Sequence, residues 1–314
     1  MRRYRVVRSL FAVILALPAG VAEPGARSGG PVVAIVRDDG VILPFARYAD
    51  GEWTTPWPSP AAGSMSAERG DPVKRWLMAE GRLLEEWRVH TGPKAGKTRI
   101  KGVTEVANHC VTSGGLATDL PAARRSRGLH RNLGIAVSDG LDAQPLNEIK
   151  HHADETRALA GFLQKAFAES DRAALEARPK TAAGNPAAAD FGSFEVRTLR
   201  RSNEAVGRGH LYFVSAVRPH GPMTAADACP YESLFQGWFT RSGRGEPEWI
   251  DRKVEIGDCD GKATSLLTPL GLLEADGDDY VVVEEQGYES ETYAIYTLGK
   301  EGVKRLHAVP GGGC

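Results

Sequence analysis

The chain has 314 residues, with 39 lysines and arginines against 40 aspartates and glutamates, so its net charge of −1 offers no global field to draw in nucleic acid or an anionic membrane. Apolar residues at 42% and charged residues at 25% are the composition of an ordinary globular protein, long enough to bury a large core as one domain or two. Beyond the first residues no hydrophobic run is long enough to span a bilayer as a helix.

At the N-terminus Arg2, Arg3, Arg5 and Arg8 precede an uncharged apolar stretch from Leu10 to Ala22, and Gly20-Val21-Ala22 places small residues at the −3 and −1 positions of a cleavage site. This pattern predicts a cleavable signal peptide over residues 1–22 and a mature chain that is secreted or periplasmic. An uncleaved anchor is the alternative; a spanning helix needs about 20 apolar residues, and this run is shorter and carries Pro18 and Gly20. Arg5 stands where a twin-arginine signal wants a bulky apolar residue, which favours the general export route. Residues 23–30 read as a polar spacer.

Residues 31–146 read as an N-terminal β region. Val32–Val36, Val41–Ala46 and Tyr48–Trp53 are strand runs punctuated by Asp38-Asp39-Gly40 and Asp50-Gly51 turns, and Trp76–Met78, Leu83–Val89, Val103–Val106 and Ile135–Val137 are shorter ones. Residues 111–131, rich in Gly, Ser, Thr and Arg, are expected to be surface loop. Arg124, Arg125, Arg127, His130 and Arg131 within them suit an anionic glycan or phosphate, or simply a solvated loop. From 147 to 178 the period becomes helical. Leu159, Phe162, Leu163, Ala166, Phe167 and Leu175 recur on one face, with Asp154 and Glu155 near the start, so a helix covering an open β face is expected. Residues 179–190 are a low-complexity linker between the two halves.

Residues 191–314 are the clearest β region. Phe194–Leu199, Leu211–Val217, Leu234–Thr240 and Trp249–Ile256 form one set of four strands; Leu266–Leu273, Tyr280–Glu285, Thr292–Leu298 and Val303–Val309 form a second. The expected fold class is mainly β, a propeller-like or multi-sheet antiparallel assembly with one amphipathic helical insertion.

Asp258-Cys259-Asp260-Gly261-Lys262, followed by a hairpin and by Gly287-Tyr288-Glu289 and Tyr293-Ala294-Ile295-Tyr296, resembles the Asp-x-Asp-Gly blades of secreted β-propellers, the FG-GAP type. The resemblance covers about a sixth of the chain. Ile256 stands where that type carries its first aspartate, so the resemblance implies a blade more than a metal loop.

Cys110, Cys229, Cys259 and Cys314 form an even set, which outside the cytoplasm favours two disulfides. The expected pairing of Cys314 is with Cys259, the Gly311–Gly313 stretch serving as a flexible tail. Asp258, Asp260, Asp276 and Asp278 are candidate calcium ligands, against an ordinary role in turns; no other cofactor is expected. Gly92–Thr98 imitates a phosphate loop but is one residue too short, and His151 with Glu155 lacks a third metal ligand. Neither Gly-x-Ser-x-Gly nor Ser-x-x-Lys occurs, and Ser113 and Ser138 sit in common glycine-flanked tripeptides. The tryptophans suit core packing more than a sugar platform. The expectation is therefore a binding or scaffold protein on a β platform, without chemistry of its own, for an extracytoplasmic glycan or protein. The alternative is a secreted hydrolase, acting on glycans, with scattered acidic residues.

Overall fold

The computed structural model describes residues 30–56, 86–92, 95–108, 110–122, 130–138, 140–177, 194–206, 209–220, 231–243, 245–257, 264–299 and 302–314. The expected signal peptide (residues 1–22), Trp57, Trp76, residues 179–190, Arg124, Arg125, Arg127, Cys229, Cys259, Asp258 and Asp260 lie outside them. The chain is mainly β, with two curled antiparallel sheets and a single helix among the described residues. Of the two β forms expected, the multi-sheet one is observed.

The first sheet holds β1 (Val32–Arg37), β2 (Val41–Ala49), β3 (Glu52–Thr54), β4 (Trp87–His90), β5 (Ala95–Thr98), β6 (Ile100–Asn108), β7 (Val111–Thr118) and β8 (Asn132–Val137). Its order is β5-β4-β8-β1-β2-β7-β6, with β3 pairing β2. The hairpin β2–β3 turns on Asp50-Gly51, where Asp50 takes φ 54° and Gly51 φ 80°, the left-handed pair that matches the twist of the flanking strands. Within Gly92–Thr98, Ala95–Thr98 form β5 and pair with β4, so half of the phosphate-loop imitation is strand, while Pro93 and Lys94 lie outside the described residues.

Residues 111–118, expected as loop, are β7, paired with β6 along its length and with β2 at Val41 and Ile42. Gly115 explains the small residues there. A Cβ at that position would lie 2.7 Å from the Val41 side chain and 2.8 Å from that of Val106, so no β-branched residue would fit at 115.

The second sheet contains β9 (Asp142–Glu148), β10 (Glu195–Val206), β11 (Gly209–His220), β12 (Tyr231–Arg241), β13 (Glu248–Gly257), β14 (Leu266–Ala275), β15 (Asp278–Gly287), β16 (Ser290–Gly299) and β17 (Gly302–Gly313). Its order is β13-β12-β11-β10-β9-β14-β15-β16-β17, two meanders joined by β9. Residues 142–145 of β9 pair with β14, while residues 146–148 pair with β10. It is a corner strand that changes partner at Pro145, which lacks a backbone donor. The boundary between the sheets therefore falls just before β9, ahead of the helix and of residues 179–190.

Helix α1 (Asp154–Ala177) buries Leu159, Leu163, Ala166 and Phe167 against Leu199, Tyr212, Phe235 and Phe239, covering one meander as the periodicity predicts. The other face of that meander gives Leu211, Phe213 and Trp238 to a second core shared with Leu272, Val281 and Val283 of the opposite meander. A third core, including Phe45, Ile135, Tyr280, Val282 and Tyr293, lies between β14–β17 and the first sheet. The layers thus run helix, meander, meander, sheet, each strand offering alternate side chains to alternate cores. No helix among the described residues is long and apolar enough to cross a membrane.

Cys314 is joined to Cys110, in place of the expected Cys259 partner. The reason lies in β17. Its Gly311–Gly313 end is not a flexible tail but pairs with the start of β16, Ser290 opposite Gly313 and Glu291 opposite Gly312. A Cβ at Gly311 would stand 2.8 Å from the Tyr293 ring, so glycine lets the strand close over that aromatic. Cys110, on the β6–β7 turn, donates its backbone N–H to Gly313 O at 3.3 Å, and the Cys314 N–H reaches Glu289 O at 2.9 Å. The bond clasps the second sheet to the first. It closes a sequence separation of 204 residues.

A loop of that length restrains the unfolded chain by about 5 kcal/mol in the chain-entropy model. The double variant Cys110→Ser/Cys314→Ser is therefore expected to lose several kcal/mol in urea unfolding; an unchanged midpoint would contradict the clasp. With that pair assigned, Cys229 and Cys259 are left, three and two residues beyond the terminal β12–β13 pair Glu232–Gly257. Non-reducing peptide mapping of the protein is expected to find them linked, and free thiols at both would overturn that pairing.

Candidate functional site

Buried polar groups in a β protein either join layers or serve a ligand, and the first group here joins layers. Asp171, fully buried on α1, forms an ion pair with Arg218 and accepts the Ser233 hydroxyl, and His220 Nε2 stands 2.6 Å from Ser233 Oγ. Serine, histidine and aspartate thus meet, but in the wrong order for a nucleophile. In a catalytic triad the imidazole lies between hydroxyl and carboxylate. Here the hydroxyl lies between, its one proton goes to Asp171, and Nε2 must carry the proton it offers to Oγ. Ser233 is also fully buried. The network pins α1 to β11 and β12.

A second polar island sits between β15–β16 and the first sheet. Glu284, 4% exposed, accepts from Gln286, and Glu291 accepts the Asn132 amide at 3.0 Å. Glu284 lies opposite Tyr293, and Gln286 opposite Glu291, on one face of the ladder. Burial pushes the Glu284 carboxyl above its ordinary range, reinforced by the neighbouring Glu291 charge. A buried carboxyl with a raised pKa beside a second carboxylate can mark an acid–base site, but Glu284 and Glu291 are both buried, at 4% and 8% exposure.

The residues singled out in the sequence are placed as follows. Asp38, Asp39 and His130 bring ligand atoms within 4.8 Å of one another, yet Asp39 is held by Arg37 at 3.0 Å and accepts the Val41 N–H at 3.2 Å, the pattern of a stapled turn. His130 Nδ1 is 3.1 Å from Asp38, and exposed Arg131 lends its carbonyl to the Asp38 N–H at 2.9 Å. Asp276, in the β14–β15 turn at φ 52°, accepts the Tyr48 hydroxyl at 2.8 Å, linking the sheets. Asp278 is exposed at the start of β15. Glu155 is paired with Arg201 at 2.9 Å and with the Tyr212 hydroxyl, whose pKa burial and that carboxylate push up to about 12; His151 lies outside the helix. Ser138 Oγ accepts the Val32 N–H at 2.7 Å, and Ser113 lies within β7. Trp87 and Trp238 are buried, Trp53 packs with Tyr48 and Tyr280, and Trp249 stacks on Phe162.

What remains is a depression the sequence did not single out. The inner faces of the two meanders are apolar along most of their length, but polar at one end. On β13, Lys253 and Glu255 lie opposite Gln236 and Leu234; on β15, Glu285 continues the face of Val281 and Val283; on β16, Thr292 lies opposite Glu285. Gln236, buried, bridges the meanders by donating to Ser265 O at 2.8 Å and accepting the Leu267 N–H at 2.6 Å. Beside Ser265 a cavity of about 350 Å³ opens to solvent, lined by Glu255, Glu285, Thr264, Ser265, Ser290 and Thr292, with Tyr288 among its walls. Tyr288 is 47% exposed. A pocket lined from β13, the lead to β14, the β15–β16 turn and β16 is a convergence of separate elements on a rigid frame.

Both carboxylates of this mouth are braced. Glu255 receives Lys253 at 2.9 Å and the Ser265 N–H at 3.1 Å; Glu285 receives Arg305 at 3.0 Å and the Tyr296 hydroxyl, whose pKa burial raises. One signal could have revealed the site. Val281, Val283 and Glu285 share a face by alternation, so a charged residue continues a core-facing row. Comparison with protein-family models, with curated proteins and with solved structures finds no match.

The buried Glu284 makes a pH prediction. Its folded pKa exceeds the ordinary value of 4.5, so the protonated carboxyl favours the fold below that value, and its contribution is lost as pH rises through the raised one. Urea unfolding at pH 5 and pH 8 is expected to show Glu284→Gln losing less stability than the unsubstituted protein between the two. An equal loss in both would contradict the assignment.

Proposed function

We propose that the chain is an exported binding protein, its stacked sheets a rigid platform and the mouth between the meanders its ligand seat. The observation that carries the reading is the convergence of two carboxylates, four hydroxyl side chains and an exposed tyrosine in one open cavity at the end of an otherwise apolar interior. Export is supported by the arginine-led apolar N-terminus and by the Cys110–Cys314 bond, which an oxidising compartment favours. The blade-like likeness of residues 258–296, which take in β14, β15 and most of β16, fits a platform role.

A second reading is a secreted hydrolase. It is favoured by one fact, that Glu255 and Glu285 line the same cavity. The two readings separate on turnover.

The test is capture of the mature protein on arrays of glycans and of envelope-protein peptides. Saturable capture is expected from the unsubstituted protein and not from Ser290→Trp, which fills the cavity from an exposed position and should change stability by only about 0.5 kcal/mol. Capture that Ser290→Trp leaves intact would place the ligand elsewhere. Cleavage of a captured glycan, abolished in Glu255→Gln and Glu285→Gln, would favour the hydrolase. In the non-reducing peptide map, a first peptide that begins at Met1 would count against export.

A further inference from the structure

The mouth carries acids, yet among the described residues it is not an anionic trap. Glu255 is matched by Lys253 at 2.9 Å and Glu285 by Arg305 at 3.0 Å, so the acids and bases described there cancel. A cationic ligand would have to displace a lysine or an arginine already in place, and an anionic one would meet two carboxylates. Neither gains from the local field. Hydrogen-bonding groups, by contrast, are plentiful among the described residues. A carboxylate offers about four lone-pair sites. The donors named above use two on Glu255, from Lys253 and Ser265, and Glu285 receives Arg305 and Tyr296. Ser265, Ser290 and Thr292 add hydroxyls that can both donate and accept.

We infer that the mouth binds an uncharged sugar ring, its hydroxyls donating to Glu255 and Glu285 and its apolar face lying on Tyr288; this rests on the mouth being the ligand seat. The balance of parts fits that chemistry. A sugar ring presents donors and acceptors around its edge and C–H groups on its faces, and it needs polar partners beside an amphipathic aromatic surface. The cavity of about 350 Å³ is at the small end of ligand sites, room for a single residue of a chain more than for a folded peptide. Its openness to solvent lets the rest of an oligosaccharide extend away. Gln236, through its bonds to Ser265 O and Leu267 N, fixes the backbone of the lining residue Ser265, so little ordering cost falls on that wall on binding.

Calorimetric titration of the mature protein with neutral trisaccharides of glucose, galactose, mannose and N-acetylglucosamine, beside glucosamine and glucuronate trisaccharides, tests the inference. At least one neutral trisaccharide is expected to bind with a Kd between about 10 μM and 10 mM, the range of a small polar site. That affinity should change less than about twofold between 50 and 500 mM salt, because no net charge is neutralised. Tyr288→Ala should weaken it about tenfold while Tyr288→Trp retains it, and Ser290→Trp should abolish it.

Tighter, salt-sensitive binding of a charged trisaccharide would overturn the inference. So would the failure of every neutral sugar while envelope peptides are captured in a manner Ser290→Trp abolishes; the seat would then stand and the sugar would fall. Loss of all capture sensitive to Ser290→Trp would remove the seat and the sugar together.

Discussion

The second sheet depends on a seven-residue strand that is poor in the usual β-formers. Asp142-Ala143-Gln144-Pro145-Leu146-Asn147-Glu148 contains no β-branched or aromatic side chain, yet it is the only strand shared by the two meanders among the described residues. Pro145 is what makes the corner workable. It lies opposite Gly271, next to the β14 irregularity between Pro269 and Gly271, and the chain passes there from β14 to β10. A proline is tolerated in a sheet where the ladder is interrupted, and a strand that changes sheets at a bend is the usual device for folding one sheet over on itself. With β9 in place the meanders face each other, and Phe213, Trp238, Val281 and Val283 fill the space between them.

Two further ties complete the frame. Gln236 spans the meanders near their polar end, and the Cys110–Cys314 bond draws the end of β17 toward the first sheet. At its other end β17 lies beside β13, where a Cβ on Gly302 would stand 3.9 Å from Ile250 O, but the two strands do not pair. The sheet therefore curls without closing. An interior that is apolar along most of its length and polar where it meets solvent places charged side chains on core-facing rows, and the cost of that choice is offset by pairing Lys253 with Glu255 and Arg305 with Glu285.

Much of this was legible in the residues, and what was not has identifiable causes. The eight strands of the C-terminal region stood out because each is a run of alternating or β-branched residues between turn signals, and α1 because Leu159, Leu163 and Phe167 repeat at helical spacing. β7 and β9 did not, because their strand state is imposed by neighbours: Gly115 is required by contact with Val41 and Val106, and β9 by pairing on both sides. The glycine tail read as flexible because glycine frees the unfolded chain, whereas here it admits the Tyr293 ring. The Cys110–Cys314 link is a property of tertiary placement, which spacing along the chain does not encode. The mouth was hidden for the same reason. Glu255 and Glu285 are thirty residues apart and meet only because the sheet folds back.

Amide hydrogen exchange on the native protein tests the role of β9 most directly. A strand that holds two meanders together opens only when the whole second sheet does, so the Ala143, Gln144 and Leu146 amides are expected in the slowest-exchanging class, beside those of Val282 and Phe213. Exchange of these amides within minutes, at rates typical of an edge strand while the rest of the sheet stays protected, would mean that the two meanders are not joined through β9.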